Sequence, residues 1–400
     1  MSARWKISVS LAVLLTIFVL WFFYDEPLHP DTRKWLKTSH RANPENDAVD
    51  YLDELTASGR HSFWDVVNYQ PCSRMTIDCT DHIRTNREAL KTRMPTSASF
   101  WNSLEGAINS DGITGDPKRM LQTNSWFQNY ISGIHLYFIR ELIEHDRIRP
   151  AVAIKVLEAQ RRLLSETPLL INKMIFVATH GIALDALWVS LRAISPNDPE
   201  FASLLTSARP MTKAELSYKK VFQHELQLMS ELLKDFPPSG MLLKRQHTLN
   251  YFLREYRRVS NISELSENEF WQLNTTKTYE KPTLWDWLVN PYWSSQTFEI
   301  QYSDHLLSLR QLDLQATVIR AWGAAIQSGY GINTIPDTET PPHWVWDWQD
   351  GSLCLIADSP LWKNEMYDLC QPHKEIQYPK CHWLRQHMQA RILNSAKLTL

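Results

Sequence analysis

The chain has 400 residues and a formal net charge of −2, from 42 basic and 44 acidic side chains. Mixed charge without a basic excess argues against nucleic-acid binding. Glycine is scarce, with 11 residues in the whole chain against a usual ~7%. Rossmann folds, β-barrels and α/β-hydrolases need glycine at turns, bulges and phosphate-binding loops. The composition therefore predicts an all-α body built from long helices.

The N-terminus predicts a membrane anchor. Residues 7–24 read ISVSLAVLLTIFVLWFFY, without a charge, and Arg4 and Lys6 precede them. A helix of this length spans roughly 27 Å, about the hydrocarbon thickness of a bilayer. A cleaved signal peptide is the alternative, but the stretch ends in large aromatic residues where a signal peptidase needs small ones. The basic residues predict a cytoplasmic N-terminus and a periplasmic or extracytoplasmic body on a single-pass membrane protein.

The composition of successive segments predicts four regions. Residues 1–24 form the cytoplasmic tail and the anchor. Residues 25–43 contain two prolines and no apolar period, which predicts a short stem. Residues 44–335 are predicted to form a helical periplasmic domain, and residues 336–400 a C-terminal element packed on it.

Apolar residues recur at helical spacing through the body. The pattern predicts helices near residues 46–57, 80–93, 97–109, 125–145, 150–165, 244–258, 265–272 and 303–328. Thr212 and Glu215 predict a capping box at the start of a further helix, which ends near Asp235.

Residues 168–193 are apolar nearly all round. A second membrane span is one interpretation. It would place Lys173, His180 and Asp185 in hydrocarbon, which is unfavourable for each of them. We therefore predict a central helix that is buried by its neighbours.

The C-terminal region changes period. Trp344, Trp346 and Trp348 alternate along the chain, and Asp350-Gly351 is typical of a type I′ turn. This pattern predicts a β-hairpin over about 343–357. The predicted fold is thus an N-terminal transmembrane helix, a multi-helix bundle and a small C-terminal β-hairpin.

Two of the five cysteines enclose a short loop, PCSRMTIDC, between Cys72 and Cys79. Outside the cytoplasm cysteines can oxidise, so we predict a disulfide between them.

The other three cysteines, Cys354, Cys370 and Cys381, lie near the C-terminus. We predict a Cys370–Cys381 disulfide there. A zinc site made by Cys370, His373, Cys381 and His382 is the alternative. Its spacing places two ligands on adjacent residues and matches no familiar zinc finger, so no metal is predicted.

Familiar catalytic motifs are absent from the sequence. His224-Glu225 begins a zincin-like pattern, but Leu228 stands where the second histidine is required. No glycines frame a nucleophilic serine or a phosphate loop, and no cofactor is predicted. A Golgi-type glycosyltransferase has the same topology, but the Asp-x-Asp triplet typical of such enzymes does not occur.

Some polar side chains are candidates for chemistry. Glu141, Glu144 and His145 cluster at the end of a predicted helix and suit acid–base work, although a solvated helix end is the more ordinary interpretation. Lys173 and Asp185 would lie about 18 Å apart along one helix, so each needs a partner elsewhere. Structural ion pairing is favoured over catalysis. The 17 tryptophans suit either a core or a sugar- or peptide-binding face, such as one formed by Trp285, Trp287 and Trp293 with Trp344 to Trp348.

Several segments together resemble an uncharacterised family of gammaproteobacterial envelope proteins. The segments are NDAVDYLDEL, LLINKMIFVA around Lys173, MTKAELS, HTLNYFLREY, and WLVNPYWSS followed by a helix with Tyr302 and Arg310. The resemblance implies a single-pass protein of the bacterial inner membrane, with one N-terminal span and a helical periplasmic body, and it implies no activity. After Asn290-Pro291 the family usually continues with glycine and a basic residue, where this chain has Trp293-Ser294.

These observations lead to two functional hypotheses. The favoured one is a non-enzymatic, membrane-anchored envelope protein that docks a protein or glycan partner through its helical body. The alternative is a periplasmic hydrolase of a glycan or peptide. Its paired carboxylates would be Glu141 with Glu144, or Glu215 with Glu225, because glycosidases need two at roughly 5–10 Å.

Overall fold

A computed structural model describes residues 13, 15–16, 25–37, 47–59, 61–113, 126–235, 244–272, 302–328, 344–349, 352–357 and 369–371. These residues are mostly helical. They divide between two compact units, Met1–Thr317 and Val318–Leu400, whereas the sequence places the boundary at 335/336.

The first unit is a succession of helices. In chain order they are α1 Pro30–Lys37, α2 Ala48–Ala57, α3 Phe63–Val66, a 3₁₀ turn Gln70–Ser73, α4 Ile77–Thr85, α5 Arg87–Lys91, α6 Ala98–Asn109, α7 Trp126–His145, α8 Pro150–Glu166, α9 Leu170–Arg192, α10 Pro199–Ser207, α11 Lys213–Leu216, α12 Lys219–Asp235, α13 Arg245–Ser263 and α14 Glu267–Trp271. Helix α15, Tyr302–Gln327, contains the boundary between the two units.

Local chemistry explains where many of these helices begin. Side chains of N-cap residues accept hydrogen bonds from the first turn, which satisfies amides that have no helical partner. The residues that do so are Asp47, Ser62, Thr76, Ser97, Asp198, Thr212 and Ser266. Pro150 and Pro199 open α8 and α10, positions where the missing N–H costs nothing.

Helix α9 is the centre of the first unit, as predicted. It packs against α7, α8, α10 and α12, and nearly all its side chains from Ile182 to Leu191 are buried. Among the described residues it is the one helix long and apolar enough to span a membrane, but most of that length is buried inside the protein. The prediction of a buried core helix is therefore confirmed.

The structure differs from the predicted helices at two places. The helix predicted over 80–93 is two helices, α4 and α5, that meet at Asn86, whose backbone amide and side chain both donate to the His82 carbonyl, at 3.0 and 2.9 Å. The capping box of Thr212 and Glu215 is present, but it opens the short α11, and Ser217 and Tyr218 separate α11 from α12.

The predicted stem also differs. Within residues 25–43, Pro30–Lys37 form α1, which packs against α12 and α13. Thr32 on this helix is fully buried. The described part of the stem is therefore a docked segment of the helical body.

The predicted anchor lies mostly outside the described residues. Val13, Leu15 and Thr16 are helical, and the side chains of Val13 and Leu15 are exposed.

Three strands lie in the second unit: β1 Trp344–Gln349, β2 Ser352–Ala357 and β3 Leu369–Gln371. They pair antiparallel in the order β1-β2-β3. The register places Cys354 opposite Cys370. The predicted turn residues 350 and 351 and the predicted disulfide partner Cys381 lie outside the described residues.

Candidate functional site

Lys173 lies in a cage of backbone carbonyls in the core of the first unit. Its Nζ donates to the carbonyls of Leu164, Glu215 and Ser217 at 3.1, 2.9 and 2.7 Å. The ammonium also lies over the ring of Tyr218, 4.9 Å from the centroid. The three carbonyls match the three N–H donors of a lysine ammonium, and the ring adds a cation–π contact.

The carbonyls are available because helices end around Lys173. Leu164 belongs to the last turn of α8, and Glu215 and Ser217 lie where α11 gives way to α12. Carbonyls at helix ends lack helical partners. Lys173 therefore stabilises two helix termini from a single side chain, which is a structural role.

Two effects oppose each other on the charge of Lys173. Burial lowers its pKa to about 7, while the carboxylate of Glu215 favours the charged form. A lysine with such a pKa can act as a base or nucleophile. Here the Nζ is enclosed by its carbonyl partners, with the residue only 1% exposed.

Glu215 is the centre of a buried ion network. Its carboxylate accepts from Arg209 at 2.9 Å and from the Thr212 amide at 2.5 Å, and Arg161 lies 3.5 Å away. Burial raises the pKa of Glu215, but the hydrogen bonds and the two guanidinium groups outweigh burial and lower it. Arg161 is itself 1% exposed, so Glu215 neutralises a charge that has no access to water.

His180 is the most unusual polar group on α9. It is fully buried, and within the described part of the chain neither ring nitrogen has a hydrogen-bond partner. Burial lowers its pKa well below the usual range, and the positive charges of Arg161 and Arg209 lower it further. The imidazole is therefore neutral in the folded protein.

Asp185 binds an arginine from the disulfide loop. Arg74 donates to both carboxylate oxygens, at 2.8 and 2.5 Å, and Gln315 of α15 donates to one of them at 2.9 Å. The predicted disulfide between Cys72 and Cys79 is confirmed, and Arg74 lies inside its loop. The loop is thereby attached to the central helix.

The cluster at the end of α7 is engaged in ion pairs. Glu141 is buried and accepts two hydrogen bonds from Arg149, both 2.8 Å. Glu144 pairs with Arg140 at 2.7 Å, one turn away. His145 lies 4.0 Å from Glu144. The two carboxylates are held by different arginines, and that of Glu141 joins α7 to the start of α8.

Glu225 caps the central helix. Its carboxylate accepts from the Leu170 amide at 3.0 Å, at a helix start where no side chain of α9 does so. Burial raises the pKa of Glu225, and the hydrogen bond opposes that shift. Its neighbour His224 is 2.9 Å from the Lys220 carbonyl, an ordinary contact within a helix.

The carboxylates of the two predicted pairs each have a partner of their own: Glu141 and Glu144 bind different arginines. Glu215 lies in the arginine network, whereas Glu225 caps α9. In the portion of the chain that is described, no three histidine, cysteine, aspartate or glutamate side chains are placed to hold a metal ion. Of the tryptophans proposed for a binding face, Trp285, Trp287 and Trp293 lie outside the described residues, and Trp344 on β1 is buried, with 3% of its surface exposed.

The sequence did not reveal which residues bind the candidate side chains. Arg74 had a visible signal, because it lies between two cysteines whose pairing the sequence predicts, so its position is restricted. The sequence places Asp25 at the start of the predicted stem, yet its carboxylate accepts from the amides of Gln246 and His247 at 2.8 and 3.0 Å. No local pattern connects positions so far apart in the chain.

In comparisons with known proteins, no family model, no curated protein and no solved structure matches the chain.

Proposed function

We propose that the protein is a single-pass envelope protein, anchored by residues 7–24, whose helical body lies outside the cytoplasm and docks a protein or glycan partner. The proposal includes the joining of β1 and β2 as a hairpin through Asp350 and Gly351. The envelope family that the sequence resembles has the same plan.

The Cys72–Cys79 disulfide is the observation that carries the location. Disulfides persist in oxidising compartments and are rare in the cytosol. The exposed side chains of Val13 and Leu15 add support, because an anchor presents apolar side chains to lipid.

The contacts of the candidate carboxylates favour docking over hydrolysis. Glu141, Glu144 and Glu215 each bind arginine, and Glu225 binds a backbone amide. A general acid or nucleophile needs a carboxylate that faces substrate, whereas these four are occupied by partners within the protein.

Location is tested with reporters fused to the C-terminus of the full chain. Alkaline phosphatase is active only outside the cytoplasm, and green fluorescent protein exported through the general secretory pathway stays dark. We expect an active phosphatase and a dark fluorescent fusion. The reverse pattern would overturn the orientation and the single span.

The role of the carboxylates is tested by the stability of Glu215→Gln. A structural carboxylate that neutralises buried Arg161 should lose about 3–5 kcal/mol of folding stability on removal. Removal of a catalytic carboxylate commonly leaves stability unchanged or raises it. Thermal unfolding of the variant beside Glu158→Gln, a half-exposed control, measures the difference. A stabilised Glu215→Gln would favour the hydrolase.

A further inference from the structure

The chain that leaves the predicted anchor is bound to the first turn of α13. Asp25 directly follows Tyr24, the last residue of the apolar stretch. Its two carboxylate oxygens accept from the Gln246 and His247 amides at 2.8 and 3.0 Å. The residue at the helix's own N-cap position, Lys244, makes no side-chain cap. Asp25 therefore caps α13 from the other end of the chain and places negative charge at the positive end of the helix dipole.

The residues after Asp25 continue along α13. Glu26 lies 3.2 Å from Nδ1 of His247. Asn250 accepts from the His29 amide at 2.9 Å and from the Thr32 hydroxyl at 2.8 Å. Arg257 pairs with Asp31 two turns further on. Several contacts along the helix fix the orientation of the segment relative to α13. A single contact would leave that orientation free to change.

We propose that the end of the α12–α13 pair at which α12 ends and α13 begins lies against the phospholipid headgroups of the membrane. The inference rests on the proposed anchor. If residues 7–24 cross the bilayer, the chain emerges at Tyr24. Consecutive Cα atoms are about 3.8 Å apart, so the hydrogen bonds of Asp25 keep the first turn of α13 within about 10 Å of that point.

The side chains at this end suit a membrane surface. Arg245, the first residue of α13, donates to the Ser230 carbonyl at 3.3 Å, so the end of α12 lies beside the start of α13. Lys234 in the last turn of α12 is exposed, and Leu232 is 41% exposed. A lysine meets lipid phosphates and a leucine reaches the acyl boundary in the same interfacial zone.

The test compares two lysines of one helix. Lys219 begins α12 and Lys234 nearly ends it, both are exposed, and they lie about 22 Å apart along the axis. The photoreactive residue benzoylphenylalanine replaces each in the full chain. The proteins are reconstituted in liposomes of phosphatidylethanolamine and phosphatidylglycerol and illuminated, and lipid adducts are measured by mass spectrometry. We expect several-fold more adduct at 234 than at 219.

Flotation of the same liposomes separates the two possible failures. If the protein floats but position 219 reacts as much as position 234, or neither reacts, the orientation is wrong and the anchor stands. If the protein does not float, the anchor fails and the inference with it. In Asp25→Ala, checked for folding by circular dichroism, we expect the preference for position 234 to fall. An unchanged preference would mean that the capping contact does not orient the body.

Discussion

Lys173 shows how one buried cation is tolerated in an apolar helix. Its charge is shared among carbonyls that two helix ends leave without partners, and no carboxylate needs to contact it directly. A neutral amine has only two N–H donors and would leave one of these carbonyls unbound. The balance between burial and these contacts decides its pKa, and that balance is measurable.

The pH dependence of Lys173→Met reports this balance. Because burial lowers the folded pKa to about 7 from an unfolded value near 10.4, the unfolded chain binds the extra proton between these values. Stability of the wild type should therefore rise with pH over that range, relative to the variant, by about 1.4 kcal/mol per pH unit. Urea unfolding at intervals from pH 7 to pH 10 measures the difference. A constant difference would show that the carbonyl cage keeps the lysine at its ordinary pKa.

His180 gives the opposite test, because it is buried and neutral. Its folded pKa lies well below the usual value, so the unfolded chain takes up a proton as the pH falls below about 6.5, and the folded protein does not. The wild type should lose stability as the pH falls from 7 to 5.

We therefore expect His180→Leu to be as stable as the wild type or more stable at pH 7, since it removes a buried polar ring with unsatisfied nitrogens. Its advantage should increase towards pH 5. Thermal unfolding at both pH values measures this. A variant less stable at both would show that the imidazole makes a favourable contact.

At the scale of elements, the disulfide loop is a connector. The loop closes over a sequence separation of 7, and it delivers Arg74 to Asp185 on the central helix, which also binds Gln315 of α15. Three separate stretches of the chain therefore meet at one carboxylate. The disulfide limits the positions of the arginine in the unfolded and folded chain alike.

Cys72→Ala should lower stability by about 2–3 kcal/mol, the amount expected for closing so short a loop, and leave the helical content intact. Circular dichroism and thermal unfolding measure both.

Since the loop positions Arg74, Asp185→Asn should lower stability less in the Cys72→Ala background than in the wild type. Equal costs in the two backgrounds would mean that the ion pair does not depend on the disulfide. Mass spectrometry of unreduced peptides should find the two cysteines linked.

For the whole molecule, the contacts of residues 25–37 join the start of the chain to α12 and α13. Asp25, Glu26 and Asp31 all bind α13, and α1 packs on both helices. The predicted stem is thus part of the fold, and a body cut after it lacks one of its helices.

We expect a soluble chain that begins at residue 25 to unfold at a higher temperature than one that begins at residue 38. Loss of a helix cap alone costs about 0.5–2 kcal/mol. The control is Asp25→Asn in the chain that begins at residue 25. Its melting temperature should stay close to that of the unsubstituted chain, because asparagine caps helices about as well as aspartate. Equal melting temperatures for the two chain lengths would show that the segment contributes nothing to folding.

The sequence by itself determined the helical class, the buried position of α9 and the Cys72–Cys79 disulfide. Each depends on nearby residues. The helical class follows from a 3.6-residue period, the position of α9 from apolar surface on all its sides with only three ionisable groups before its last residue, and the disulfide from the short separation of the two cysteines. Capping residues such as Thr212 and Ser266 also act within one turn, so they are visible in the sequence.

Only the tertiary structure decided which partners the buried polar groups take. Asp25 and Gln246 are separated by 221 positions, and Arg74 and Asp185 by 111. The sequence showed that Lys173 and Asp185 need partners, because an unpaired buried charge is unstable. It could not choose among the many arginines and carbonyls in the chain, since that choice follows from how the helices pack.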